Sequence, residues 1–322
     1  MSLTGKIQQR FCSACLLIFL CVGLVLSSHA QTKDNINIVV ALSKNTHPYQ
    51  QFHKQLEAVL IADEQRSIRI FVIYADIIES ISELYDSGIN PDFIVAAGNY
   101  AARELIKLQL SAPIIFSLLP GSSYQNNIQN SPYCRIKNRC SAVYLEQPID
   151  RQFSIIKKGL PDIQTLGIIL GPSSFTMRDS ILRAEKKYGI NVSIELAKEG
   201  DNLILLADSL SKTNEALLAI PDPYVYNRKT AKGILISTYK YQIPFIGYSH
   251  GFVHAGALFS IYSTPGQIAK QTGMMLIEAI LSPQKELPSP EYPDAYMVEA
   301  NPAVMRSLRA RINFDKSILN SQ

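Results

Sequence analysis

The stretch "IPFIGYSHGFVHAGALFSIYSTPGQIAKQTG", Ile243–Gly273, holds two short apolar strands followed by a marked helix start. "IPFIGYS" is the first strand, Gly251 to Gly256 reads as a turn, and "ALFSIY" is the second strand. Thr264, Pro265 and Gln267 then form a helix opening: a capping side chain, a proline at the first helical position and a glutamine three residues on. Ile268, Thr272, Met275, Leu276 and Ala279 follow at helical spacing and define one inward face. His250 and His254 lie four apart and would share a face only on a helix, which Gly251 and Gly256 argue against. A metal site also needs a third or fourth ligand, and no Cys, Asp or Glu stands nearby in sequence. The expectation is no metal here, and a crossing of the chain between two structural units.

The same alternation runs outward in both directions. "NINIVVAL" (35–42), "IRIFVIY" (68–74), "PDFIVAAGN" and "APIIFSLL" are strands too apolar to have a wet face. Helical patterns separate them: "YQQFHKQLEAVLIAD", "IIESISELYDSG" and "YAARELIKLQL". Strands apolar on both faces and alternating with helices indicate a parallel sheet covered on each side. The pattern then breaks at "PGSSYQNNIQNSPYCRIKNRC" (120–140), which is polar, turn-rich and without either period. It restarts with "SAVYL", "IDRQFSIIKKGLP", "TLGIILGPSS", "FTMRDSILRAEKKYG" and "NVSIEL", and continues through "NLILLADSLSK", "NEALLAIPDP" and "VYNRKTAKGILISTYKYQ". Two similar βα half-chains therefore lie in tandem.

The ends and the composition limit the function classes. Lys6 and Arg10 precede a continuous apolar run, Phe11 to Leu26, that ends in "SSHA". Residues 1–30 read as a signal peptide cleaved after Ala30, with a retained anchor as the alternative. Its loss takes the formal charge from +4 to +2, which argues against a nucleic-acid partner. Cys134 and Cys140 are the cysteines left after export, and a close pair in an oxidising compartment reads as a disulfide. A redox or metal pair is the alternative, although five intervening residues is not the two-residue redox spacing. No Gly-x-Ser-x-Gly, dinucleotide fingerprint or P-loop is present, so neither an enzyme nor a bound cofactor is expected.

Ligands of parallel sheets bind beyond the carboxyl ends of the strands. The residues at those points are the candidate binding set. In the first half they are Ser43, Asn45, Thr46, His47, Gly98, Asn99 and Ser117. In the second half they are Ser173, Ser174, Asp222, Tyr248 and Tyr262.

The chain resembles the periplasmic substrate-binding proteins of ABC transporters with the type I binding-protein fold, the subfamily that includes tryptophan and tyrosine binders. Ile243–Gly273 carries most of that likeness, with "PDFIVAAGNYAARELI", "LPDIQTLGIILGPSS", "EALLAIPDPYVYN" and "VEANPAVMRSLRARI" in support. The resemblance implies two Rossmann-like lobes with parallel sheets and a three-crossing hinge, near 144–147, 262–264 and 282–290. Lobe 1 is then 35–145 plus 264–283, and lobe 2 is 146–262 plus 290–314. It implies a monomer that closes over a small-molecule solute and hands it to an ABC permease, or docks on a membrane sensor instead. The family often places acids after the fourth strand and in a Gly-x-Asp after the "IP-F" strand. Here those places read "SLLPGSS" and "GYSHG", which favours a neutral or anionic solute over an amino acid.

Overall fold

The computed structural model describes residues 35–314, apart from 63–65, 75–85, 87 and 109. The signal-peptide segment and all but Asp86 and Gly88 of the helix expected at "IIESISELYDSG" fall outside the described residues.

Strands β1 (Asn35–Leu42), β2 (Ser67–Tyr74), β3 (Phe93–Ala97), β4 (Ile114–Leu119) and β5 (Cys140–Tyr144) form one sheet in the order β2-β1-β3-β4-β5. Every pairing in it is parallel. Alternate residues of β1 show why. Ile36, Ile38, Val40 and Leu42 enter one apolar core, while Val39 and Ala41 enter another on the opposite face. With both faces apolar, helices must cover each side. Helix α1 (His47–Ile61) supplies Phe52, Leu56 and Leu60 to one face, and α2 (Asn99–Leu105) supplies Ala101, Ala102 and Leu105 to the other.

The segment 120–140, read as structureless, opens instead with helix α3 (Gly121–Asn127). Its buried residues are Gly121, Ser122, Ser123 and Tyr124, and with only Tyr124 large and apolar among them no helical period shows. The Cys134–Cys140 disulfide forms, with Cα atoms 5.2 Å apart, and ties the turns after α3 to the start of β5.

The second sheet takes β6 (Thr165–Leu170), β7 (Asn191–Leu196), β8 (Ala216–Leu218), β9 (Phe245–Gly247), β10 (Phe259–Tyr262) and β11 (Met297–Ala300) in the order β11-β10-β9-β8-β6-β7. Only the β10–β11 pairing is antiparallel. Helices α4 (Ile149–Gly159) and α5 (Arg178–Tyr188) cover one face. Helices α6 (Leu203–Thr213) and α7 (Ala231–Lys240) cover the other. Helix α7 starts later than the sequence pattern suggests. Asn227 accepts from the Lys229 amide and the Thr230 hydroxyl donates to the Val225 carbonyl, so these side chains hold a turn in place of a first helical turn.

Gly251–Gly256 is not a turn. His250–Ala255 form a short helix, α8, capped by the Ser249 side chain and closed by Gly256 at φ 118°. Burial of Phe252 and Val253 outweighs the cost of Gly251 inside it. Helix α9 (Pro265–Leu281) then returns to the first sheet, begun by the Thr264–Gln267 capping box. It packs so tightly on α1 that a Cβ on Gly273 would lie 2.6 Å from Val59 Cγ1.

The chain passes between the sheets after β5, after β10 and after α9. The third passage comes later than 282–290. The Leu287 amide donates to the Asn138 carbonyl, the Glu291 amide to Ala142 and the Tyr144 amide to Glu291, so this segment still lies along β5. Pro283, Pro288 and Pro290 hide that pairing from a propensity reading. The passage proper is 292–296, and the described residues continue through α10 (Pro302–Ser307) to Phe314, which stacks edge-on against Phe259.

Candidate functional site

The three passages are stitched side by side. Gln147 donates to the Ser263 hydroxyl at 2.7 Å, and that hydroxyl donates to the Ala295 carbonyl at 2.6 Å. Arg151 bonds both Gln147 and the Pro293 carbonyl, and its guanidinium lies over the Tyr296 ring. Glu146, 4% exposed, accepts the Gly121 amide on both oxygens, at 2.9 and 3.0 Å. Burial pushes its carboxyl up to about 7, against the partial opposition of those amide bonds.

Beyond the carboxyl ends of the strands lies a cleft of about 450 Å³ lined from both sheets. The first sheet contributes Ser43, Lys44 and Leu118, with Tyr49 from α1 and Asn99, Tyr100 and Arg103 from α2. The second contributes Pro221, Asp222, Pro223, Tyr226 and Tyr248, and Leu145 lies at the junction.

Gly98 sets the first wall. It holds φ 89°, and a Cβ there would fall 2.5 Å from the Tyr49 hydroxyl and 2.6 Å from Ser43 Oγ. Ser43 accepts the Ala101 amide at 2.9 Å, so its oxygen is committed to the β3–α2 turn. The second wall is an aromatic cluster. Tyr226 and Tyr248 meet edge-on at 5.9 Å, and Phe252 lies 5.9 Å and 4.9 Å from their rings. Burial, followed by the neighbouring Tyr248 and Asp222, pushes the Tyr226 phenol far above its usual range, so it stays a neutral hydroxyl.

Asp222 is 1% exposed and its carboxylate is occupied. Oδ2 accepts the Ser173 amide at 3.0 Å, the Ser174 amide at 2.9 Å and the Ser174 hydroxyl at 2.9 Å, and Oδ1 accepts the Tyr224 amide at 2.9 Å. It therefore acts as a staple between the β6 and β8 loops, and Gly171 makes room for it. Lys44 and Arg103 are left as the basic groups of the lining, with Glu104 Oε1 3.5 Å from Arg103 Nε.

Of the expected binding residues, the structure brings Ser43, Asn99, Asp222 and Tyr248 together at the cleft, with the Gly98 backbone beneath. Ser173 and Ser174 sit one layer behind, on Asp222. Asn45, Thr46 and His47 lie exposed at the start of α1, where Asn45 accepts from Gln50. Ser117 is fully buried and shares a 2.8 Å hydrogen bond with Thr272 of α9, so it joins strand to helix and does not line the cleft. Tyr262 donates to Glu299 at 2.6 Å, on the far side of the β10 end. Tyr49, Tyr100, Arg103 and Tyr226 were not expected. The first three lie on helices, beyond the post-strand residue. Tyr226 stands four residues after Asp222 in the same turn-forming segment and was within reach of the strand-end rule.

His250 and His254 are closer to a metal constellation than the sequence suggests. On α8 their ring centroids are 4.3 Å apart, and Glu299, 49 positions after His250, places a carboxylate oxygen 2.8 Å from His250 Nδ1.

Two mainly parallel sheets, three adjacent passages and a cleft between the strand ends define a two-lobed binding protein. Residues 75–289 match the family described as ABC transporter substrate binding protein, and the chain belongs to that family. No curated protein matches it significantly. Among solved structures it is similar to a ligand-free, open substrate-binding protein with adhesive properties from Clostridium difficile, at 16% identity and a TM-score of 0.67, covering 88% of this chain and 97% of that one. It is also similar to an ABC domain in complex with L-Trp from Streptococcus pneumoniae, at 14% identity and a TM-score of 0.61, covering 89% and 98%. A conserved domain protein from Vibrio cholerae aligns at 17% identity with a TM-score of 0.61, covering 89% and 98%. At these identities the likeness concerns the fold, which is that of the type I periplasmic binding proteins. No helix among the described residues is long and apolar enough to cross a membrane.

Proposed function

We propose that the protein is exported to the periplasm, closes over a small polar solute in this cleft and delivers it to an ABC permease. The observation that carries the reading is the cleft itself: about 450 Å³, lined by strand-end residues of both sheets, within the size of small-molecule sites. In this reading lobe 1 is the first sheet with α9 and the 287–291 edge. Lobe 2 is the second sheet, and the stitched passages are the hinge.

The solute is neutral or anionic. An amino-acid ammonium needs a carboxylate to receive it, and the cleft's Asp222 already accepts four hydrogen bonds from its own chain. Lys44 and Arg103 favour an acidic group on the solute, and the Tyr226–Tyr248 wall favours an apolar or planar body. The Streptococcus pneumoniae structure holds L-Trp, so tryptophan is the informative competitor. Isothermal titration at neutral pH is the test. Micromolar binding of tryptophan or tyrosine would overturn the assignment of charge.

A further inference from the structure

We infer that His250, His254 and Glu299 form a binding site for a divalent first-row transition cation of the zinc class, outside the solute cleft. Among the described residues, these three place one ligand atom each within 4.8 Å of one another. The set is two imidazoles and one carboxylate. That is a donor set that holds zinc with a fourth position left to water, and imidazole also suits nickel and copper.

The sequence builds this arrangement from two elements. The histidines stand one helical turn apart on α8, so both rings project from one face. Glu299 comes from β11, which pairs antiparallel with β10 in the register Ser260–Glu299. Three features fix the position of α8. The Ser249 cap starts it, buried Phe252 and Val253 anchor it, and the Asn301 side chain donates to the Val253 carbonyl at 2.7 Å.

Glu299 is itself oriented. Tyr262 lies two residues beyond Ser260 on the same strand face and donates to Glu299 Oε2 at 2.6 Å. A hydrogen bond from a neighbouring residue that fixes a ligating carboxylate is a recurring feature of metal sites. At bond lengths of about 2.1 Å, tetrahedral ligand atoms stand about 3.4 Å apart. The 2.8 Å between His250 Nδ1 and Glu299 Oε2 is a hydrogen-bond contact that a shared cation would open by about 0.6 Å, and both histidine rings are exposed and free to turn. A cation here would clamp α8 to β11 at the end of β10, one residue before Ser263 and the stitched passages.

The test is calorimetric titration of Zn²⁺ and of Ni²⁺ into the mature protein, with any affinity tag removed and adventitious metal stripped. The wild type is expected to bind one equivalent with saturation. H254A and E299Q should each weaken binding by more than about tenfold, and Y262F, which removes only the orienting bond, by about tenfold. H47A should bind as the wild type does. The inference is overturned if the wild type shows no saturable binding at about 100 μM metal. It is equally overturned if H254A and E299Q bind as the wild type does, or if H47A abolishes binding.

Discussion

Replacing Glu146 with glutamine should remove a pH dependence that the first passage between the sheets builds into the fold. The carboxyl is fully enclosed and lifted from its ordinary 4.5 to about 7. It accepts the Gly121 amide, and its charge acts on the phenols of Tyr144 and Tyr292, whose rings meet edge-on at 5.1 Å. Glu146 raises the Tyr292 phenol in return, which burial and then this charge push up to about 12. A folded-state value above the unfolded one means that the native protein holds this proton more tightly. The stability tied to it is complete below pH 4.5 and is lost as the pH rises through about 7. The difference corresponds to on the order of 3 kcal/mol, at about 1.4 kcal/mol for each tenfold change in proton affinity. Glutamine keeps an acceptor for the Gly121 amide and never ionises. Urea unfolding of the wild type and E146Q at intervals from pH 5 to 8 isolates the effect, because other titrating groups are common to both. The wild type should lose stability relative to the variant by roughly that amount across the range. Parallel curves would refute the claim that burial holds this carboxyl protonated at the first passage.

Other substitutions test separate contacts. Asp222→Ala leaves the Ser173, Ser174 and Tyr224 amides without their acceptor and should cost about 3 kcal/mol in denaturant titrations; a loss below 1 kcal/mol or so would mean the loops hold themselves. Gly273→Val drives a side chain into Val59 and should destabilise the protein by about 1–3 kcal/mol in the same assay. Changing Cys134 and Cys140 together to serine opens a seven-residue loop and should cost about 2 kcal/mol in the chain-entropy model. Unchanged stability would make the disulfide incidental to the fold.

The mainly parallel sheets were legible because β1, β3, β4 and β6 are buried on both faces and so read as near-continuous apolar runs. The start of α9 was legible because its cap, proline and glutamine act locally. Elements held by distant contacts were not. Helix α8 contains a glycine and forms because Phe252 and Val253 are buried, and the 287–291 edge pairs with β5 through backbone groups that no side chain announces. The site divides in the same way. Strand-end position pointed to Ser43, Asn99, Asp222 and Tyr248, which line the cleft, but position does not say where a side chain turns. Ser117 turns to Thr272. Asp222 turns to its neighbouring loop, while Arg103, a full turn into α2, lines the cleft. Glu299 reaches the histidines only through the β10–β11 register.

The most direct test of solute capture is a thermal-shift screen of small neutral and anionic metabolites, repeated with R103A and Y226A. A ligand of the folded state raises the melting temperature in proportion to RT ln(1 + [L]/Kd). One chemical class should stabilise the wild type saturably, and both variants should lose that shift while keeping their own cooperative melts. A screen in which no metabolite stabilises the wild type, or in which the shift survives unchanged in both variants, would contradict binding in the cleft between the two sheets.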